Sequence, residues 1–216
     1  MNWAADWSVG LLAKWPLLEL LEYLGSFSIL FATIFYFAGA PDRLKQKHYQ
    51  AWQVINSAQG KGGNGGRIDA LQELNHDHIP LVGVDVSGAY LQGLRLEGAE
   101  LRRSNFSSAD LREAIFRKAN LDDSDFHWAN LRGAILSGCD LAGSDFTDAD
   151  LAGASLAGSD LDQLSLERAD LRDTEMDHVK NWRGIKAIKN ANIFGIRNAP
   201  QGFVDWARKM GAVETQ

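Results

Sequence analysis

Carboxylates are the side chains in this chain best able to do chemistry, and they recur at a fixed spacing. Paired carboxylates can act as general acid and general base. Short Asp side chains also hydrogen-bond to neighbouring backbone groups and favour turns. Because the positions differ by multiples of five, the corner geometry of a repeated turn explains them better than catalysis does. These aspartates are Asp85, Asp110, Asp125, Asp140, Asp145, Asp150, Asp160 and Asp170.

Nucleophiles, phosphate loops and metal ligands are poorly represented in the sequence. No serine lies in a G-x-S-x-G context, and no Walker loop is present. His76 and His78 flank Asp77, but no third or fourth ligand follows at a recognised spacing. Cys139 is the single cysteine, so no internal disulfide can form, and it falls at a position where a thiol acts as a small hydrophobe. We therefore predict no enzyme, no metal and no cofactor.

The elements that position these residues follow a five-residue period. Every fifth residue, here called a centre, is large and apolar, and two residues before a centre 16 of 19 positions hold Ala, Ser, Cys or Thr. This period suits neither an α-helix nor an ordinary strand. The chain must turn once per five residues, so that the centre and the small residue both point inward. The centres are Leu81, Val86, Leu91, Leu96, Leu101, Phe106, Leu111, Phe116, Leu121, Phe126, Leu131, Leu136, Leu141, Phe146, Leu151, Leu156, Leu161, Leu166, Leu171 and Met176.

Four such turns close a coil of 20 residues. Phe106, Phe126, Phe146 and then Leu166 recur at this spacing, although Phe116 does not follow it. Coils stacked about 4.8 Å apart would give a rod of about five coils, roughly 24 Å long. In such a solenoid each unit buries its inner face only by stacking, and the ends need caps.

The repeated pattern resembles a known family. Residues 109–141 read ADLREAIFRKANLDDSDFHWANLRGAILSGCDL, which is similar to the A(D/N)LXX pattern of the pentapeptide repeat family. The resemblance implies that the coil is right-handed. We therefore expect an all-β solenoid, a right-handed quadrilateral β-helix of about five coils, preceded by one transmembrane helix and flanked by short capping helices.

The expected transmembrane helix is an uncharged apolar segment, residues 23–40. Its 18 residues would span roughly 27 Å as a helix, close to the hydrocarbon thickness of a bilayer. A buried core helix and a signal peptide cleaved after residues 38–40 are the alternatives. Three acidic residues and one lysine precede the segment, which is not the charge pattern of a signal peptide. An uncleaved anchor is therefore the favoured interpretation.

Basic residues beside this segment predict its orientation. Arg43, Lys45 and Lys47 follow it, whereas Lys14 stands alone before it. The positive-inside rule then places the N-terminus outside and the repeats in the cytoplasm, with one pass through the cell inner membrane. The segment together with the following KQKHYQAWQVIN also resembles membrane-bound bacterial members of the family.

A glycine run and two short helical patterns complete the domain assignment. Residues 60–66 hold five glycines and read as a flexible boundary. Residues 67–75 read as an amphipathic helix that covers the first coil, and residues 200–210 as a C-terminal capping helix, with dimerisation as its alternative role. The predicted domains are 1–44 (N-terminal segment and transmembrane helix), 45–66 (juxtamembrane helix and linker), 67–178 (β-helix with its capping helix) and 179–216 (C-terminal cap).

Charge limits the function. The net charge is −6, and residues 79–178 hold nine Lys and Arg against 19 Asp and Glu, a balance of −10. This argues against direct nucleic-acid binding, which needs clustered basic residues. Soluble family members that protect DNA gyrase imitate duplex DNA, so the resemblance offers such mimicry as an alternative to a membrane-anchored protein-interaction scaffold. The acidic face this would use comprises Asp140, Asp145, Asp148, Asp150, Asp160, Asp162 and Asp170.

For the scaffold, two breaks in the pattern indicate a docking face for a membrane-associated protein partner. Asp or Asn fills 11 of the 19 positions just before a centre, yet Ile115 and Ile135 occupy two of them, 20 residues apart. They should stack on one face that is flat, short-chained and uncharged, beside strongly acidic neighbours. The alternative is that the isoleucines only favour the strand. The candidate face comprises Ile115, Ile135, Ser137, Gly138, Ser155, Ala157 and Gly158.

Overall fold

A computed structural model describes residues 28–34, 40–57 and 65–216. Residues 28–34 are helical. The helices with defined bounds are α1 (Ala40–Ser57), α2 (Arg67–His76), a 3₁₀-helix (Trp182–Gly184) and α3 (Phe203–Lys209). The chain divides between His48 and Tyr49 into two compact units.

The predicted membrane segment lies partly outside the described residues, since 23–27 and 35–39 are not among them. Within residues 28–34, 40–57 and 65–216, no helix has the length and apolar character needed to cross a bilayer. The transmembrane helix therefore stays a prediction.

A β-turn repeats every five residues through the solenoid. The turn that follows Leu81 is typical, because the Val84 N–H donates to the Leu81 carbonyl over 3.1 Å and Gly83 has a φ of 71°. Every fifth residue from His78 to His178 has a positive φ. Type II turns require this left-handed backbone at their third residue, where Gly is favoured. The turns form the corners that the period predicts.

Between the turns, parallel β-bridges join residues 20 apart. They define four faces, named here by their bridging residues. Face A carries residues 85, 105, 125, 145 and 165; face B carries 90, 110, 130, 150 and 170; face C carries 95, 115, 135, 155 and 175; and face D carries 100, 120, 140, 160 and 180. The predicted 20-residue coil is confirmed.

The core lies inside the square formed by these faces. All 20 centres are buried, as are the 19 positions two residues before a centre. The rings of Phe106 and Phe126 stack with centroids 4.9 Å apart. Phe116 comes from face C and meets Phe106 edge-on at 5.6 Å, which explains why it does not share the 20-residue spacing of the stack.

Buried hydroxyl groups explain why the small positions include Ser and Thr. The Ser124 Oγ donates to the Leu101 carbonyl over 2.8 Å and accepts from the Ser104 N–H at 3.3 Å. Cys139 occupies such a position, where its Sγ lies 2.9 Å from the Phe116 carbonyl and burial raises its pKa to about 12. An unreactive, small core residue is the role predicted for this thiol.

Two helices cover the N-terminal end of the β-helix. Leu71 and Leu74 of α2 are fully buried, and its Gln72 side chain accepts from the Arg95 N–H at 3.0 Å. Ala51 and Ile55 of α1 are buried in the same core. Because the second half of α1 packs here, the compact unit begins at Tyr49, before the glycine run that the sequence indicates as a boundary.

The C-terminal end differs from the predicted simple cap. The ladder continues through Ser165↔Ala187, Asp170↔Asn192 and Glu175↔Arg197, a step of 22 residues. The 3₁₀-helix occupies the part of the coil where the two extra residues fall. Phe203 and Ala207 of α3 are buried beyond it. An irregular coil therefore precedes the capping helix.

Candidate protein-docking face

Ile115 and Ile135 lie next to each other on face C. A parallel bridge joins their backbones, and a second joins Ile135 to Ser155. Both side chains are half-buried. They occupy the position just before a centre, where 11 of the 19 repeats carry Asp or Asn. These two coils therefore expose hydrocarbon on face C, whose other bridging residues are Arg95, Ser155 and Glu175.

The other predicted residues border the isoleucines. The Ser137 and Ser155 hydroxyl oxygens are 2.9 Å apart, and the Gly138 N–H donates to the Ala157 carbonyl over 2.8 Å. Gly158 lies so near Gly138 that a Cβ at 158 would be 3.9 Å from the Gly138 Cα. The structure thus brings all seven residues together on face C and its corner with face D. Their docking role stays a prediction.

The isoleucines have basic as well as acidic neighbours. The corner that precedes Ile115 carries Arg112 and Glu113, the corner that follows it carries Arg117 and Lys118, and Arg132 precedes Ile135. The expected acidic residues lie on the adjoining faces B and D. The acidic balance of the whole repeat segment concealed the basic residues because most carboxylates face other sides of the rod. Ile115 and Ile135 lie on a locally basic face.

The seven carboxylates of the alternative acidic face do not share one face. Asp145 is on face A, Asp150 and Asp170 are on face B, and Asp140 and Asp160 are on face D. Asp148 and Asp162 occupy corners. Two residues that are five or ten positions apart lie on faces one or two steps apart around the coil. Only residues separated by a multiple of 20 positions stack on the same face.

Arginines pair with several of these carboxylates. Arg168 donates to both oxygens of Asp148 at 2.7 Å, and Arg132 lies 3.1 Å from Asp150. The hydrogen bonds from Arg168 hold the pKa of Asp148 below its ordinary value. Burial instead raises the pKa of Asp122, helped by the charges of Asp123 and Asp140.

The Asp and Asn residues before the centres act as turn acceptors. In each of these 11 repeat positions the side-chain Oδ1 accepts from the backbone N–H two residues later, as in the 2.8 Å bond from His127 N to Asp125. The interpretation as corner geometry is confirmed. The other ten acceptors are Asp85, Asn105, Asp110, Asn120, Asn130, Asp140, Asp145, Asp150, Asp160 and Asp170.

Metal ligands do not cluster in the described part of the chain. His76 contacts Asp77 at 3.1 Å. Among residues 28–34, 40–57 and 65–216, no group of three or more His, Cys, Asp or Glu could hold a metal ion.

Sequence reasoning missed an exposed aromatic residue, Trp128. It is 63% exposed on the corner between faces A and B, and it has a φ of 59°. Its ring packs against His127 with centroids 4.3 Å apart, and its side chain is among the groups that lower the pKa of Asp148, after Arg168. The sequence could have indicated this exposed side chain, because Trp128 stands at a turn position that holds Gly in many of the other repeats.

Comparisons with known proteins agree with this architecture. A family model for pentapeptide repeats matches eight copies within residues 81–180. No curated protein matches the chain.

Solved structures of three pentapeptide repeat proteins were found to be similar to this chain. A protein of the cyanobacterium Cyanothece is 28% identical over 41% of this chain and 60% of its own, with a TM-score of 0.40. A thylakoid-lumen protein of Arabidopsis thaliana is 24% identical over 62% and 78%, with a TM-score of 0.28. QnrB1, a plasmid-mediated fluoroquinolone resistance protein, is 14% identical over 55% and 76%, with a TM-score of 0.31. The chain thus spans less than two thirds of the Cyanothece protein.

The repeats, the four faces and the 20-residue ladder have one common explanation. Through residues 81–180, folded as a right-handed quadrilateral β-helix, the chain belongs to the pentapeptide repeat family.

Proposed function

We propose that this protein is a non-enzymatic scaffold that holds a rigid β-helix at the cytoplasmic side of the inner membrane, where face C docks a protein partner. The observation that carries the proposal is the pair Ile115 and Ile135, half-buried and in register on a face whose other bridging residues are polar or charged. Apolar side chains on a rigid framework lose little entropy on binding, so their burial contributes directly to affinity.

Residues 23–40 supply the proposed anchor. They carry no charge, and the basic residues that follow them fit a cytoplasmic flank. Protease added to sealed spheroplasts should leave the repeats intact. Cleavage within residues 60–66 under those conditions would place the repeats outside and end the cytoplasmic part of the proposal.

A double substitution tests the docking face. Ile115→Asp with Ile135→Asp should leave the rod folded, because Asp is native at equivalent positions, but should release the partner captured by crosslinking in intact membranes. The matched control is Asn105→Asp with Asn130→Asp, which adds the same charge at the same turn position on faces A and B. An unchanged crosslinking pattern in the isoleucine variant, at native thermal stability, would remove face C as the docking site.

The alternative, mimicry of duplex DNA toward gyrase or another nucleic-acid-binding protein, draws on the carboxylates of faces A, B and D. Its support is weaker because arginines pair with Asp148, Asp150 and Asp170. Inhibition of gyrase supercoiling by the detergent-solubilised full chain, unaffected by the isoleucine substitutions, would favour it over docking at face C.

A further inference from the structure

We propose that the occupant of face C is a protein segment in which apolar side chains stand next to carboxylates. This inference rests on the proposed scaffold function and adds the chemistry of the partner. It follows from the charges that border the two isoleucines.

The N-terminal part of face C is a basic patch on a β-helix that is acidic as a whole. Among the outward residues of face C and its two corners, between positions 92 and 138, five are basic and two are acidic. The repeat segment as a whole carries a balance of −10. The basic residues are Arg95, Arg112, Arg117, Lys118 and Arg132, and the acidic ones are Glu97 and Glu113.

Two of these cations, Arg117 and Lys118, are available to a partner. By contrast, Arg112 donates to Asp110 at 2.8 Å and Arg132 lies 3.1 Å from Asp150, so these two arginines are already paired. Arg117 and Lys118 are exposed on the corner that follows Ile115, and neither forms an ion pair with another described residue. Carboxylates that reached this corner would gain charge-assisted contacts beside the apolar pair.

Below the isoleucines, face C allows a close approach. Ser155 and the corner residues Ser137, Gly138, Ala157 and Gly158 present short side chains without charge. A polypeptide backbone can lie against such a surface. Toward the C-terminal end, face C carries the acidic residues Glu175 and Asp177. Because these would repel carboxylates, the carboxylates of the partner must lie toward the Ile115 end.

The same features argue for a protein over two other anionic partners. Two half-buried isoleucines offer little hydrocarbon for insertion into a lipid surface. A nucleic acid would require a denser array of cations, without Glu97 and Glu113 among them. A protein segment with apolar and acidic side chains can cover the two isoleucines and also pair with Arg117 and Lys118.

Site-specific photo-crosslinking of the full chain in intact membranes tests this chemistry. p-Benzoyl-phenylalanine in place of Ser137 should capture a protein, and sequencing of the crosslinked peptide should show apolar residues flanked by Asp or Glu. Arg117→Glu with Lys118→Glu should lower the capture by about tenfold, because two attractive contacts become repulsive. The matched control, Arg102→Glu with Arg103→Glu, reverses a basic pair at the same turn positions on the corner between faces D and A and should change nothing.

The outcomes separate this inference from the function on which it rests. Capture of a basic or uncharged segment, or equal capture by both charge-reversed variants, overturns the partner chemistry while leaving the scaffold in place. Capture of a lipid in place of a protein also overturns it. If the folded protein captures nothing at position 137, both proposals fail.

Discussion

The rings of Phe126 and Phe146 lie nearly parallel, with centroids 4.5 Å apart and planes inclined by 15°. The two residues are 20 positions apart in the sequence, so they can stack only if every coil closes after four turns. This contact links the side-chain pattern directly to the register of the backbone ladder.

Truncation at Phe126 should therefore test the coil. Phe126→Ala should lower the free energy of unfolding by about 3 to 5 kcal/mol, because it leaves a cavity between two stacked rings. Phe126→Leu should cost less than about 1.5 kcal/mol, since Leu166 occupies the same column. Chemical denaturation followed by circular dichroism measures both values. Equal losses of unfolding free energy for Phe126→Ala and Phe126→Leu would contradict the role of the stacked column in stability.

The turn acceptors can be tested at Asp125. Its Oδ1 accepts from the His127 N–H at 2.8 Å, and Asn fills the same position in other coils. Asp125→Asn should be nearly neutral because it keeps the acceptor, whereas Asp125→Ala should cost about 1 kcal/mol through loss of the hydrogen bond. Thermal unfolding at pH 7 separates the two variants. A large loss for Asn would mean that the charge, and not the acceptor, matters here.

Two glycines with the same backbone conformation offer a matched pair. Gly143 and Gly153 have φ values of 67° and 68°, so Ala at either position should cost about 1 kcal/mol in backbone strain. A Cβ at 143 would also collide with the Asp123 carboxylate, whereas a Cβ at 153 meets nothing within 4 Å. Gly143→Ala should therefore be the more destabilising, by up to about 1 kcal/mol.

The control for this pair is Asp123→Ala. In that background the two glycine substitutions should have the same effect on the melting temperature. A difference that persists without the Asp123 carboxylate would show that the contact is not its cause.

Stability should depend on pH through Asp148. Its pKa is held below the ordinary 3.8 by hydrogen bonds from Arg168. A carboxyl whose folded pKa is depressed stabilises the protein above its unfolded pKa, and this contribution is lost as the pH falls through the folded pKa. Asp148→Asn should therefore lower the melting temperature at pH 7, and its difference from the native protein should shrink below about pH 3.8.

Arg168→Gln provides the control for the ion pair. It should lower the melting temperature at pH 7 in the same direction and should add little to Asp148→Asn in the double variant. If the effect of Asp148→Asn is the same at pH 7 and pH 3, the Arg168 contact does not stabilise the fold.

The five-residue period was enough to predict the inward positions, the corners and the 20-residue coil. Each of these depends on neighbours within one turn or on apolar side chains that must be buried, and both are visible along the chain. Leu131 and Ala134 are buried for this reason, and Asp125 caps its own turn. The grouping of Ile115 with Ile135, Ser155 and Gly158 follows from the same period.

Only the tertiary structure decided which charges beside that group are paired and how the rod ends. Arg132 lies 3.1 Å from Asp150, whereas Arg117 forms no ion pair with another described residue. Ion pairs depend on side-chain geometry, which the five-residue period does not encode. The ends lack the repeat, so the burial of Ile55 and the 22-residue step from Ser165 to Ala187 depend on packing against the last complete coils, which no local pattern encodes.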